Sequence, residues 1–139
     1  MEGNEISHTI DQYAQGCLSG DLKKWLNDKI YKIVEEESIR EFFLTYSLLG
    51  EKVNPLAVKI NGDKETDTYL KKQEVNALEI ARIHFLSTIL SKKSDVFTPQ
   101  VAKILQVADS NELETFLKFL IFLPRPEDFK MVAVDALRT

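Results

Sequence analysis

Apolar residues recur every three or four positions along almost the whole chain, which is the spacing of amphipathic α-helices. The first run predicts a helix over about residues 5–18, ended by Gly20. Asp21 is then expected to cap a second helix, whose apolar positions run from Leu22 to Val34. The N-terminal part of the chain is therefore predicted to form two consecutive helices.

The spacing of Ser38 and Glu41 is that of a capping box and predicts the start of a third helix. This helix is expected to end near Gly50. The carboxylates of residues 35–37 oppose the dipole of the second helix, but they also stand just before the third. We interpret this acidic run as favouring that helix start rather than as a metal site.

Residues 51–66 break the helical spacing and carry turn signals. The alternation of Leu56, Val58 and Ile60 before Asn61-Gly62 would suit a hairpin strand. Because no convincing partner strand follows, the sequence favours an irregular connection packed by those three side chains.

The next helix is expected to begin between Asp67 and Glu74, and Lys92-Lys93 suit its C-terminal end. Thr98-Pro99 then predicts an N-cap followed by proline at the first position of a new helix, which stops at Asp109. These signals divide residues 67–109 into two helices.

Residues 113–122 are apolar nearly all round, which is typical of a helix in the middle of a bundle. Pro124 ends it, and Pro126 opens a last helix with Glu127 in its first turn.

The expected fold is all-α, with six to seven antiparallel helices in an irregular bundle or a HEAT/armadillo-like stack. We expect residues 1–139 to form a single domain.

Composition narrows the class of protein. The chain is 44% hydrophobic and 29% charged with a net charge of −4, which is typical of a soluble globular protein and gives no basic surface for nucleic acid. Its longest apolar run, residues 119–123, is too short to span a membrane. With no secretory signal, and with Cys17 as the single cysteine, a cytoplasmic location without a disulfide is expected.

No motif for catalysis, metal or cofactor binding is evident. His8 and His84 lie far apart, and the single Glu-x-x-His match, at Glu5, has no counterpart at His84. Cys17 has no cationic neighbour that would activate it. We therefore predict no catalytic residue, no metal and no cofactor.

Several side chains in the second half of the chain are open to both structural and functional interpretations. Asp109 and Glu112 have the spacing of an N-cap and its reciprocal partner, and Glu127 suits a helix N-terminus. Arg125 and Arg138 are not required by helix punctuation. They could close an interhelical salt bridge, the preferred interpretation, or bind a partner's carboxylate or phosphate.

Three sequence blocks resemble the EboA family of bacterial accessory proteins. The blocks are residues 42–49 (FFLTYSLL), Ala108-Asp109-x-x-Glu112-Leu113, and Leu123-Pro124-x-Pro126-Glu127 with Phe129, followed by Arg138-Thr139. Family members usually continue through a further helical segment with an Asn-Pro-Tyr-Pro-type motif. The resemblance therefore implies that this chain lacks the family's C-terminal part.

The resemblance also implies an accessory role in metabolite traffic. The family takes its name from a bacterial operon found beside secondary-metabolite gene clusters, and in cyanobacteria the operon is implicated in moving a pigment precursor toward the periplasm. Other products of the operon resemble a prenyltransferase and enzymes of sugar or phosphate chemistry. No reaction is assigned to the family.

Three functions remain in competition. The preferred one is a non-enzymatic scaffold that binds other products of its operon, with Arg125, Arg138, Glu112 and Glu127 as candidate partner contacts. The second is a carrier of a small apolar metabolite, whose pocket would be lined by aromatic residues such as Trp25, Phe42, Phe43 and Phe116. The third is an enzyme that uses Glu112, Arg125 or Arg138.

Overall fold

The structure is a computed structural model. It describes the backbone of part of the chain, and the side chains of the same residues except 3–9, 66 and 111. The described residues are 3–60, 62, 64–107, 109–120, 123, 127, 129–131 and 134. Within them the secondary structure is helical apart from one isolated β-bridge, which confirms the all-α class.

The N-terminal half forms three helices, α1 (Gly3–Cys17), α2 (Gly20–Glu36) and α3 (Ile39–Lys52). Their number and order match the sequence prediction. The cap of α2 does not, because Ser19 Oγ accepts the hydrogen bond from the Leu22 N–H at 3.2 Å. Asp21 instead lies in the first turn of α2.

The junction between α2 and α3 confirms half of the predicted capping box. Ser38 is the N-cap of α3 and its Oγ accepts from the Glu41 N–H at 3.2 Å. The reciprocal bond is not made, because the Ser38 N–H donates to the Ile33 carbonyl and the Glu41 carboxylate pairs with Lys29 at 3.4 Å. The acidic run belongs to the end of α2, with Glu37 as its left-handed C-cap.

The chain between residues 67 and 107 folds differently from the prediction. A short helix, α4 (Glu65–Gln73), ends at Glu74, and a separate long helix, α5, spans Ala77–Val107. The predicted division into two helices at Lys92-Lys93 is confirmed, because the backbone of Lys93 is non-helical (φ −140°, ψ 56°) and splits α5 into two halves. The second half begins before Thr98, so Thr98 is not its N-cap and Pro99 lies inside it. Asn76 explains the start of α5, because its Oδ1 accepts from the Glu79 N–H at 2.9 Å.

Helix α5 is the centre of the described fold, contacting α1, α2, α3 and α6. The predicted central helix, α6 (Ser110–Phe119), is amphipathic and packs chiefly on α5. The prediction was wrong because α6 carries exposed or half-exposed Glu112, Glu114 and Lys118. Four helices contact α5, and the choice between an irregular bundle and a HEAT/armadillo-like stack stays a prediction.

The core is built around stacked phenylalanines. Phe42 of α3 is fully buried, and its ring lies 5.5 Å from that of Phe85 and 5.1 Å from that of Phe97, both on α5. Phe116 of α6 contacts Phe129 near the C-terminus edge-on at 6.0 Å. Aromatic contacts therefore join α3 to both halves of α5, and separately join α6 to the C-terminal part of the chain.

The connection between α3 and α4 is irregular, as predicted, but only two of its three apolar residues pack. Val58 and Ile60 are half-buried, whereas Leu56 is 68% exposed. The segment is tied to the start of α5 by two backbone hydrogen bonds, from the Val58 N–H to the Val75 carbonyl and from the Ala77 N–H to the Leu56 carbonyl. These bonds hold Leu56 at the surface.

Candidate functional site

Two of the three sequence blocks meet around a residue that the sequence analysis did not single out, Arg82 of α5. Its guanidinium carbon lies 5.3 Å from the centre of the Tyr46 ring, in the first block. It is also close enough to Glu112, in the second block, to influence the pKa of that carboxyl. The structure thus gathers Tyr46, Arg82, Asp109 and Glu112, which we call the motif cluster.

Arg82 is unusually short of hydrogen-bond partners for a half-buried arginine. Its Nε is buried without an acceptor anywhere among the described residues. A β-carbon added at Gly50 would lie 3.0 Å from its Nη2, so the glycine leaves room for the guanidinium against α3. A guanidinium carries five donors, and its Nη groups, rather than the inaccessible Nε, are the ones that remain for an oxyanion.

Asp109 and Glu112 serve as helix-capping residues. Asp109 is the N-cap of α6, and its Oδ1 accepts from the Glu112 N–H at 2.8 Å, which confirms the predicted cap. Burial, followed by the neighbouring Asp109 carboxylate, raises the pKa of the Glu112 carboxyl, while Arg82 opposes the shift. Glu112 is thus a partly desolvated carboxyl bound to its own helix start.

The phenol of Tyr46 completes the motif cluster. Burial raises the pKa of Tyr46 to about 12, Arg82 counteracts this, and Glu112 and Asp109 add to it. Tyr46 therefore stays a neutral phenol at physiological pH.

A second set of polar side chains fixes α6 to the start of α5. Glu79 is 93% buried, and its carboxylate accepts from the Asn76 N–H and the Thr115 hydroxyl, both at 3.1 Å. Lys118 lies 3.6 Å from the same carboxylate, and its carbonyl accepts from the Tyr69 hydroxyl. These contacts define the position of α6 relative to α4 and α5.

Arg82 opens into a cleft of about 370 Å³ between these elements, which we call the polar cleft. Its charged lining has both signs. The lining residues are Pro55, Glu74, Asn76, Leu78, Glu79, Arg82, Glu114, Thr115 and Lys118. The arrangement suits recognition of charged groups by complementary pairing, with Arg82 and Lys118 as its cations.

The candidate partner contacts from the sequence fall in different places. Glu112 lies in the motif cluster, and Glu127 is an exposed residue of helical backbone. Arg125 and Arg138 lie outside the described residues, so the choice between salt bridge and partner contact for them stays a prediction. Arg82 was missed because it stands among apolar residues near the start of α5, where sequence spacing gives no sign of its neighbours from other helices.

The aromatic residues suggested for a carrier pocket pack elsewhere. Phe42 and Phe43 contact each other within the core, and Phe116 packs on Phe129. Trp25 is half-buried beneath Lys52, whose Nζ lies 4.9 Å from the ring centre. These residues do not line the polar cleft or the second cleft described next.

A second and larger cleft, of about 630 Å³, lies between α1 and the α3–α4 connection. Its walls combine apolar residues such as Leu22, Leu56 and Val58 with polar ones such as Ser19 and Asn54, and because it is less polar than the first cleft we call it the apolar cleft. Burial raises the pKa of the Cys17 thiol, so the group stays protonated at neutral pH.

His84 is held by α1 rather than by a catalytic group. Its Nδ1 lies 2.7 Å from Asp11 Oδ1, and its side chain is 12% exposed. Within the described part of the chain, no group of three or more His, Cys, Asp or Glu side chains is placed to hold a metal ion. Nor does any helix there have the length and apolarity to cross a membrane.

Comparisons with known proteins identify the family. Neither the curated proteins nor the solved structures gave a match. The family model described as metabolite traffic protein EboA matches residues 6–139, essentially the whole chain, and includes all three sequence blocks. This chain therefore belongs to the EboA family of metabolite traffic proteins.

Proposed function

We propose that this EboA-family protein is a non-enzymatic accessory protein of metabolite traffic that acts by binding another product of its operon. The proposal places it in the cytoplasm with its partner. The observation that carries it is the guanidinium of Arg82, which lines the polar cleft beside charged side chains of both signs.

The charges of the polar cleft favour a protein partner. Arg82 and Lys118 lie beside Glu74, Glu79 and Glu114, so the surface presents donors and acceptors of both signs. Protein interfaces pair such side chains, and arginine is enriched among the residues that contribute most to affinity. A partner's carboxylate would give Arg82 the bidentate acceptor that its own chain does not supply.

The use of the nearby carboxylates supports a binding role over a catalytic one. Asp109 caps α6, and Glu79 accepts from the Asn76 N–H at the start of α5 while its hydrogen bond with Thr115 and its ion pair with Lys118 position α6. Their oxygens are engaged in building the fold. Glu112 is held at the same helix start, which agrees with a structural rather than a chemical task.

The test is the affinity of the protein for each product of its operon, measured by isothermal titration calorimetry. We expect one product to bind, and Arg82→Gln to weaken that binding about 10- to 100-fold, the usual effect of losing a hydrogen bond to a charged group. Arg82→Lys keeps the charge without the planar donor pair, so we expect an intermediate affinity.

Arg40→Gln is the matched control, because Arg40 is an exposed arginine of α3 outside the polar cleft. It should bind like the wild type. If no operon product binds, the interaction role is wrong. If Arg82→Gln binds as tightly as Arg40→Gln, the partner does not use the polar cleft.

A further inference from the structure

The apolar cleft has the size and walls of a small-molecule site. Its volume of about 630 Å³ falls within the range of about 300–1,000 Å³ that is common for such sites. Leu56 is held on its wall 68% exposed, because the backbone bonds to α5 fix the connection in place. A ligand that covered Leu56 would remove a large apolar side chain from water.

The charges that the described residues bring to this cleft are of one sign. Lys52 and Lys59 line it, and no Asp or Glu is among the described residues that do so. Tyr13, which lines the cleft, donates its hydroxyl to the carboxylate of Asp67, which is not part of the lining. Asp67 also accepts from the Lys64 N–H and is 93% buried. Within the described residues, the cleft therefore presents two ammonium groups beside an apolar wall and no carboxylate.

We propose that the apolar cleft binds a small amphipathic acid, with its apolar body against Leu56 and Val58 and its anionic group at Lys52 and Lys59. This site is separate from the polar cleft and does not depend on the proposed partner. The fluorescence of the single tryptophan, Trp25, can report binding at this site, because Lys52 lies over the Trp25 ring. An anion that draws Lys52 away changes the surroundings of the indole.

The test titrates the full chain with decanoate while Trp25 fluorescence and the rate of Cys17 alkylation are followed. Decanoate is expected to change the fluorescence saturably and to slow alkylation of Cys17, which lines the same cleft. Lys59→Gln should weaken binding about fivefold, the value of one partly exposed ion pair. Leu56→Ala should also weaken it, whereas Lys103→Gln, an exposed lysine of α5, should not.

Two further ligands separate charge from apolar contact. Decanol, which has the apolar body alone, and acetate, which has the charge alone, should both bind more weakly than decanoate. Equal binding of decanol, an unchanged affinity in Lys59→Gln, or the absence of both fluorescence and alkylation effects would each overturn the proposal. Preferential binding to anionic lipid vesicles over monomeric decanoate would overturn it too, because the ligand would then be a membrane surface.

Discussion

At the scale of single residues, Asp109 of the motif cluster both caps α6 and raises the pKa of neighbouring side chains. Asp109 accepts from the Glu112 N–H at 2.8 Å, and its charge contributes to the raised pKa values of both Glu112 and Tyr46. The part of this cluster that the sequence predicted is local, since an N-cap depends on residues three apart. The part it could not predict is Arg82, whose neighbours come from other helices.

Asp109→Ala should lower the free energy of unfolding by about 0.5–2 kcal/mol, because the first turn of α6 loses the acceptor of its cap. Urea denaturation followed by circular dichroism measures the change. Asp109→Ser keeps a capping oxygen and should cost less. Equal losses in the two variants would show that the negative charge, rather than the cap, is what α6 needs.

Tyr46 should make stability fall at high pH. Its pKa is about 12 in the folded protein against an ordinary value near 10, so the folded state keeps the proton longer than the unfolded state. The stabilisation is fully present below about pH 10 and is lost as pH rises toward about 12, by up to about 3 kcal/mol.

The measurement is the difference in unfolding free energy between the wild type and Tyr46→Phe from about pH 9 to about pH 12. Subtraction removes the titration of lysines, which both proteins share. The difference should decline with rising pH. A constant difference would mean that Tyr46 ionises at its ordinary pKa and is not desolvated.

At the scale of elements, the sequence predicted helices whose boundaries are set by local chemistry. The start of α3 at Ser38 and that of α6 at Asp109 follow from side chains that cap their own backbone. The α4–α5 boundary was missed because Glu74 ends α4 in a left-handed conformation that is uncommon for glutamate. The division of α5 was predicted at Lys92-Lys93, whereas Thr98-Pro99 misplaced the start of its second half, which begins before Thr98 and contains Pro99.

The α3–α4 connection depends on the absence of a side chain at Gly62. A β-carbon there would lie 1.9 Å from Asp67 Oδ2, so Gly62→Ala must displace the carboxylate that accepts from the Lys64 N–H and the Tyr13 hydroxyl. We expect a loss of about 1–3 kcal/mol in unfolding free energy, the cost of unpairing a buried polar group.

Gly16→Ala is the matched control, because it lies in α1 with no atom within 4 Å of the added carbon. It should stabilise the protein by about 0.5–1 kcal/mol through helix propensity. Chemical denaturation of both variants side by side is the measurement. If Gly62→Ala were as stable as the wild type, the contact between Gly62 and Asp67 would not contribute to the fold.

At the scale of the whole molecule, α5 contacts α1, α2, α3 and α6, and two clefts with different linings lie near its N-terminal end. Its first turns carry Glu79 and Arg82 to the polar cleft, while the α3–α4 connection, tied to its N-terminus, forms a wall of the apolar cleft. The sequence indicated the all-α class and the family but not the clefts. Each cleft is lined by residues far apart in the chain, which no local pattern brings together.

The central claim is that a partner protein binds at the polar cleft. Hydrogen–deuterium exchange of the protein, alone and with the operon product that binds it, tests this most directly. The account predicts slower exchange in residues 74–82 and 110–119, which contain most of the polar cleft, and little change in residues 12–22. Protection confined to residues 12–22 and 52–59, with none in 74–82 or 110–119, would contradict it.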